Sequence, residues 1–232
     1  MFRLLIWFFC APFFFSFSQE NKGNSYVDVN YFKGYVPLHN PDILHLIKGR
    51  PEGTLIAWNQ RTDGQKEWHR HYNYPDYGAS LMFQDFQNPV LGKAYGFYGH
   101  FNFYFLKRRM MLRVGQGVVI SSNPYDKNSN PKNIAFGSKL LASPYLMLNY
   151  KKSNLIGPLG IQSGLLLFHA SNGNIKAPNT SVNTIAFNIG LNYDLGSKKI
   201  ISEYLPEEVF ISDGLKINLV FRSGLNQISV VG

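Results

Sequence analysis

The chain has 232 residues, of which 16% are aromatic and only 16% are charged, and it contains 21 glycines and 12 prolines. This composition is typical of a protein with many strands and turns, and it argues against a helical bundle. The formal net charge is +9. In a secreted chain this excess favours anionic lipid head groups and lipopolysaccharide phosphates as partners over nucleic acid.

The N-terminal segment has the layout of a secretory signal peptide. Arg3 precedes an apolar run, and a small-x-small pattern that ends at Ser18 follows it. The apolar run is too short to span a bilayer, so we predict a signal peptide over 1–18 and a barrel domain over 19–232. Cys10 is the single cysteine and lies inside this signal. We therefore expect no thiol nucleophile, disulfide or cysteine-bound metal in the mature protein.

In several segments further along the chain, apolar and polar side chains alternate with a period of two. In 94–105, Phe97 and Phe101 share one face with the other phenylalanines, and in 184–195 one face is entirely apolar. Strict alternation with an apolar face predicts strands that lie between two environments. These strands are about ten to twelve residues long, which suits a tilted membrane strand better than the shorter strands of soluble sheets.

We predict an all-β fold, an antiparallel transmembrane β-barrel of about eight strands. The predicted strands are 26–36, 54–60, 78–86, 94–105, 110–120, 138–150, 159–171, 184–195 and 215–224. Because single-chain bacterial barrels have an even number of strands, we expect one of these, 54–60, to lie outside the membrane. The last residues lack the usual terminal aromatic, so we also expect a truncated C-terminal end, which would allow more strands. A secreted soluble barrel such as a lipocalin-like carrier is the alternative.

The connections predict how the barrel is oriented. The turn at Lys107–Arg109 and the connection 151–158 are tight, whereas 121–137 and 172–183 are longer and polar. Short turns face the periplasm in membrane barrels and long loops face outward. The strand that ends at Ser171 therefore runs outward and ends at the level of the outer leaflet. We expect the basic turn to contact water or phosphate, with no catalytic role.

His169 and Ser171 lie at this outward end and share a strand face with Leu165. A neutral imidazole beside a hydroxyl can take its proton and make it an effective nucleophile. The N–H groups of Asn172 and Gly173, in the turn that follows, are predicted to be free to hold an oxyanion. By its spacing alone the His-x-Ser pair is a weak signal, because such pairs also arise by chance at strand ends.

The stretch HASNGNIKAPN, residues 169–179, resembles the His-x-Ser-Asn motif and the downstream Pro-Asn of the lipid A 3-O-deacylase family. These are outer-membrane β-barrel esterases, and many relatives are called acyloxyacyl hydrolases. Residues 88–101 and 113–140 are also similar to this family. The resemblance implies an enzyme of the Gram-negative outer membrane that cuts an ester-linked acyl chain from lipopolysaccharide without a cofactor or metal. It also implies an active site on the lipid-facing outer surface.

The resemblance implies a role for each residue of the motif. Ser171 would be the nucleophile and His169 the general base, while Asn172 and Gly173 would supply the oxyanion environment. Asn179 matches the asparagine that follows the family's proline.

The third catalytic position departs from the family. The family has a glutamate about fourteen residues after the histidine, and this chain has Asn183 there. Asn183 has the parity of Ile185 and Phe187, so it is predicted to point outward and to approach His169 on the neighbouring strand. An amide oxygen can accept from the imidazole N–H and set its tautomer, but it has no charge to stabilise an imidazolium.

Two functions stay open from the sequence. The first is a serine esterase acting on lipid A, and the second is a family barrel without hydrolase activity that serves as a structural or lipopolysaccharide-binding outer-membrane protein. The acyl position that is cut and the formation of a homodimer are also open.

The sequence pattern also predicts the location of three histidines and two tryptophans. His69 and His71 are two residues apart, which predicts that they share one strand face. They could form a metal pair, but we favour an interfacial strip of aromatic and basic side chains. His100 is predicted to point into the barrel, and Trp58 and Trp68 are predicted to anchor the barrel at the membrane interface.

Overall fold

The structure is a computed structural model, and it describes residues 24–196. The predicted signal peptide, Cys10 and the predicted strand 215–224 lie outside the described residues.

Eight strands and two short helices make up the described fold. The strands are β1 (Ser25–Tyr35), β2 (Glu52–Arg61), β3 (Asp76–Asp85), β4 (Lys93–Phe105), β5 (Met110–Ser121), β6 (Leu140–Ile156), β7 (Leu159–Ala170) and β8 (Val182–Asp194). A 3-10 helix (Pro41–Leu46) lies between β1 and β2, and α1 (Glu67–His71) lies between β2 and β3.

The strands form a closed antiparallel barrel in chain order, in which β1 pairs with β8. Closure leaves no strand edge unpaired, which is what a sheet surrounded by lipid requires. The prediction of an eight-stranded barrel is confirmed. The expectation that 54–60 lies outside the barrel is wrong, because β2 pairs along its length with both β1 and β3. Its short alternating pattern has the same inward and outward faces as the longer strands.

The outer surface of the barrel is apolar. Large exposed side chains point outward from every strand, among them Val29, Ile56, Leu81, Phe97, Val118, Leu148, Leu165 and Ile189. Such an extended apolar exterior is rare on soluble monomers and is what a lipid environment stabilises. The apolar faces recognised in the sequence are therefore the outside of the barrel, which excludes the soluble carrier.

The interior of the barrel is filled by side chains that satisfy one another. The guanidinium of Arg113 makes two hydrogen bonds to the carboxylate of Asp28, at 2.6 and 3.1 Å, and both side chains are fully buried. His100 also points inward, as predicted, and lies between Ser80 Oγ and Asn59 Oδ1. Because the interior is occupied by this network, a site for a lipid substrate is expected on the outer surface.

The connections differ in length between the two ends of the barrel. We call one end the outer end, where the connections are 36–51, 86–92, 122–139 and 171–181, and the other the inner end, where they are 62–75, 106–109 and 157–158. The predicted turn at Lys107–Arg109 lies at the inner end, and so does the end of the predicted connection 151–158. That connection is shorter than predicted, because residues 151–156 belong to β6 and only 157–158 form the turn. By the rule that long loops face outward, the outer end lies at the outer leaflet.

The loops of the outer end pack on one another. Ile43 and Leu46 of the 3-10 helix are buried with Phe86, Leu91 and Phe136 from the next two connections. The rings of Phe86 and Phe136 are 5.7 Å apart. This apolar cluster gives the outer loops a fixed support on which the connection that follows β7 rests.

Candidate active site

Strand β7 places the predicted pair on the outside of the barrel. Leu166, Phe168 and Ala170 are buried, while His169 and Ser171 alternate with them on the outward face. The inward residues are apolar and pack in the interior, so the register of β7 cannot shift by one residue without exposing them. His169 and Ser171 therefore share the outward face of the barrel, as their spacing of two residues predicted.

The imidazole of His169 is oriented by Asn183. The two residues are directly opposite each other in the pairing of β7 with β8. His169 Nδ1 lies 2.7 Å from Asn183 Oδ1. Because an amide oxygen can only accept, Nδ1–H is the donor and Nε2 keeps its lone pair. Asn183 therefore holds His169 in the tautomer that a general base needs.

The hydroxyl of Ser171 is held by two donors. Its Oγ accepts from Gly173 N at 3.0 Å and from Asn179 Nδ2 at 2.9 Å. These contacts use the lone pairs of the oxygen and leave the hydroxyl proton available to a base. Among the described residues, no hydrogen bond joins Ser171 Oγ to the ring of His169. Catalytic contacts of this kind are often long in the free enzyme and form when substrate binds.

The backbone of Ser171 is paired with β6, beyond the end of β7. Ser171 N donates to Ala142 O at 3.1 Å, and Ala142 N donates to Ser171 O at 2.7 Å. Ala142 and Ser171 are therefore directly opposite each other in the pairing of the two segments. Sequence reasoning missed Ala142, because the contact depends on the register between β6 and β7 and no local pattern reveals it.

The N–H groups of Asn172 and Gly173 are engaged, so the prediction that they are free is wrong for this structure. Asn172 N donates to Asn179 Oδ1 at 3.0 Å, and Gly173 N donates to Ser171 Oγ. The reason is that the connection folds back on itself and brings the Asn179 amide across the turn. In this arrangement both N–H groups position Ser171 and the loop around it.

We call residues 171–181 the serine loop. It is supported by the neighbouring connection through Thr180, whose N and Oγ1 both donate to Ile134 O, at 3.1 and 3.2 Å. The loop also lies close to Gly137, where an added Cβ would be only 2.4 Å from Pro178 O. Only glycine fits this close approach. The packing therefore holds the serine loop against the connection 122–139.

His69 and His71 do not share a face, because their segment is the helix α1 and not a strand. Residues two apart on a helix point in different directions. His69 is buried, with Nδ1 3.1 Å from Asp63 Oδ1, and His71 is exposed. The local sequence has no strict alternation, which is the signal that would have separated helix from strand.

Fold and site together define a class of protein. The chain is a closed β-barrel with a lipid-compatible exterior, and it has a serine, histidine and asparagine arrangement on its outward face near one end. Within residues 24–196, no helix has the length and hydropathy needed to cross a membrane.

The family model described as "Lipid A 3-O-deacylase (PagL)" matches residues 52–192, which is more than half of the chain. The chain therefore belongs to the lipid A 3-O-deacylase family. The matched region extends from β2 to β8 and includes His169, Ser171 and Asn183.

Two solved structures are also similar. The outer membrane enzyme PagL is 17% identical, with coverage of 70% of this chain and 97% of that chain and a TM-score of 0.46. Neisserial surface protein A is 12% identical, with coverage of 75% and 99% and a TM-score of 0.46. No curated protein sequence matches the chain significantly.

Proposed function

We propose that this protein is an outer-membrane serine esterase that hydrolyses an ester-linked acyl chain of lipid A. Family membership supports the substrate class. The observation that carries the proposal is the hydrogen bond between His169 Nδ1 and Asn183 Oδ1 at 2.7 Å, with Ser171 on the same outward face. This arrangement presents a base and a nucleophile to the lipid.

In the proposed reaction, Ser171 Oγ attacks the ester carbonyl while His169 Nε2 takes the hydroxyl proton. The imidazolium then gives this proton to the oxygen of the leaving alcohol, which leaves the acyl group on Ser171. Water, activated by His169, releases the fatty acid. Asn183 maintains the tautomer throughout but stabilises the imidazolium less than a carboxylate would.

The donors to Ser171 have a second role in this proposal. Gly173 N and Asn179 Nδ2 point at Oγ in the free protein. When Oγ bonds to the carbonyl carbon it becomes a poorer acceptor, and the oxyanion forms next to it. These donors can then turn to the oxyanion, where charge develops and hydrogen bonds are strongest.

The position of the site suits a substrate that never leaves the membrane. Leu165 and Leu167 continue the outward face of β7 below His169 and are exposed to lipid. An acyl chain can lie along them while its ester reaches the polar end of the strand. Exposed cations of the outer loops, such as Lys132 and Lys176, suit the phosphates of lipopolysaccharide.

The test is mass spectrometry of lipid A from Gram-negative cells that express the wild type, Ser171→Ala or Ser80→Ala. We expect lipid A that has lost an acyl chain with the wild type and with Ser80→Ala, because Ser80 lies in the barrel interior. We expect intact lipid A with Ser171→Ala. Unchanged acylation in all three strains, with each barrel folded by heat-modifiable migration, contradicts the proposal.

A family barrel without hydrolase activity is the second candidate. The observation that favours it is the neutral Asn183 at the acid position, together with the missing hydrogen bond between Ser171 and His169. Under this hypothesis the protein binds lipopolysaccharide or serves a structural role. Activity that appears only in Asn183→Glu, and not in the native chain, supports this second candidate.

A further inference from the structure

The outside of the barrel has a cleft at the inner end, opposite the candidate active site. The outward residues Gln60, Tyr77 and Phe101 form its floor, and part of the connection 62–75 covers it. The residues that line the cleft are Asn24, Gln60, Arg61, Thr62, Asp63, Gln65, Lys66, Trp68, His69, Tyr77 and Phe101.

The cleft exists because the connection folds back against the lipid-facing wall. The ring of Trp68 meets that of Phe101 edge-on at 6.3 Å, and the ring of Tyr72 lies 6.4 Å from that of Phe103. Trp and Tyr side chains of this kind are enriched where a membrane meets water. The cleft therefore lies at the level of the inner-leaflet head groups, with an apolar wall on its membrane side.

Two long cationic side chains line the cleft, those of Arg61 and Lys66, and they differ in whether they have a hydrogen-bond partner. Arg61 makes two hydrogen bonds to Asp194, at 2.8 and 3.1 Å. Lys66 is exposed, and its ammonium has no hydrogen bond or ion pair within the described part of the chain. Lys66 is therefore available to an anionic ligand.

The carboxylate of Asp63 is only partly used. Its Oδ1 accepts from Gln65 N at 3.0 Å and faces His69 Nδ1 at 3.1 Å. Its Oδ2 makes no hydrogen bond to another described residue. Asp63 and Lys66 both line the cleft, so the cleft presents an anion and a cation to one ligand, which suits a ligand that carries both charges.

Thr62 contributes a further polar group to the lining of the cleft. The residue is only 4% exposed, and its Oγ1 has no hydrogen-bond partner in the described structure. Buried hydroxyl groups are normally paired, so an unpaired one calls for an explanation. A ligand group in the cleft can provide the missing partner.

We propose that this cleft binds the phosphoethanolamine head group of a glycerophospholipid from the inner leaflet. The phosphate contacts Lys66 and the hydroxyl of Thr62, and the ammonium contacts Asp63. One acyl chain lies against Trp68 and Phe101. A head group with only a negative charge fits less well, since its phosphate would gain Lys66 while Asp63 repels it.

The test is native mass spectrometry of the full-length protein in detergent with phosphatidylethanolamine or phosphatidylglycerol of identical acyl chains. We expect one bound phosphatidylethanolamine, held more tightly than phosphatidylglycerol. We expect Lys66→Gln and Asp63→Asn to weaken its retention by about tenfold each, as is typical of hydrogen bonds to charged groups. Free phosphoethanolamine, without acyl chains, should bind much more weakly because it lacks the apolar contact.

Two variants separate ligand binding from general effects. Lys107→Gln removes the same charge at the same end of the barrel but outside the cleft, and it should retain the lipid as the wild type does. Thr62→Val keeps the shape of the side chain and should fold normally while it loses affinity. Equal retention of both lipids, an equal loss in Lys107→Gln, or no bound lipid overturns the proposal.

Discussion

Two histidines of this barrel have similar partners and different surroundings. His100 lies in the interior, with Nε2 2.9 Å from Asn59 Oδ1 and Nδ1 3.2 Å from Ser80 Oγ. His169 lies on the outer face, with Nδ1 2.7 Å from Asn183 Oδ1. Each imidazole is thus oriented by an asparagine oxygen. Each histidine also has a serine nearby, Ser80 in contact with His100 and Ser171 on the same outward face as His169.

The two histidines differ in whether a ring nitrogen is left without a hydrogen bond. His100 is 3% exposed and both its ring nitrogens are hydrogen-bonded. His169 is half-buried, and Nε2 has no hydrogen bond within residues 24–196. The same three residue types therefore stabilise the interior where every group is paired, and they can support chemistry where one nitrogen is free and lipid can reach it.

The largest expected effect comes from exchanging each histidine for glutamine. His169→Gln should lower the rate of fatty-acid release from lipid A by about 10³-fold, the usual contribution of a general base. His100→Gln should leave the rate per folded barrel unchanged, because His100 has no access to substrate. Rates are measured in detergent micelles on refolded protein. An equal loss in both variants would mean that His169 acts through stability and not through chemistry.

A smaller effect, on stability, is expected in the interior. Arg113→Met leaves the buried carboxylate of Asp28 without its ion-pair partner and should destabilise the barrel by about 3–5 kcal/mol. Lys33→Met breaks the exposed ion pair with Glu52, in which Lys33 Nζ and Glu52 Oε2 are 2.7 Å apart, and should change the stability little because solvent screens this pair. Urea unfolding in micelles measures both. Similar costs would show that burial does not set the strength of these pairs.

Removing the orienting amide should cost less activity than removing the base. Asn183→Ala is expected to slow hydrolysis by about 10 to 100-fold, a loss between that of one hydrogen bond and that of a whole general base, because the ring remains but its tautomer is no longer fixed. Asn188→Ala is the matched control on the same strand, since Asn188 points inward and pairs with Asn149. Turnover at saturating lipid A measures the effect. An unchanged rate in Asn183→Ala would remove this residue from the mechanism.

The smallest effect is expected in the serine loop. Asn179→Ala removes one donor to Ser171 Oγ and should lower turnover by about tenfold, the value of one hydrogen bond to a developing charge. Thr180→Ala changes the next residue, which contacts Ile134 and not Ser171. Its rate should stay close to that of the wild type. Equal losses would assign the effect of Asn179 to loop stability.

Much of the fold could be predicted from the period of the strands. The predicted ranges 94–105 and 110–120 differ by one residue from β4 and β5, because these strands alternate strictly and end at clear turns. The prediction for β6 stopped at residue 150, whereas the strand continues to Ile156. Its polar end resembles a turn in sequence, but pairing with β7 continues past an irregularity after Lys152.

The strand face on which the site residues lie could also be predicted from the sequence. Parity alone placed His169, Ser171 and Asn183 on one outward face, and the structure places them there. The engagement of the N–H groups of Asn172 and Gly173 was not predictable, because a loop has no period that reveals its hydrogen bonds.

The sequence by itself determined the strands and the face on which each side chain lies, since both follow from a local period of two. The sequence also gives an amide, Asn183, at the position where the family resemblance implies a glutamate. Only the tertiary structure decided that Asn183 reaches His169, that Asn179 crosses the loop to Ser171, and that the backbone of Ala142 in β6 pairs with that of Ser171. These contacts depend on strand register and loop packing, which are set by residues far apart in the chain and by the closure of the whole barrel.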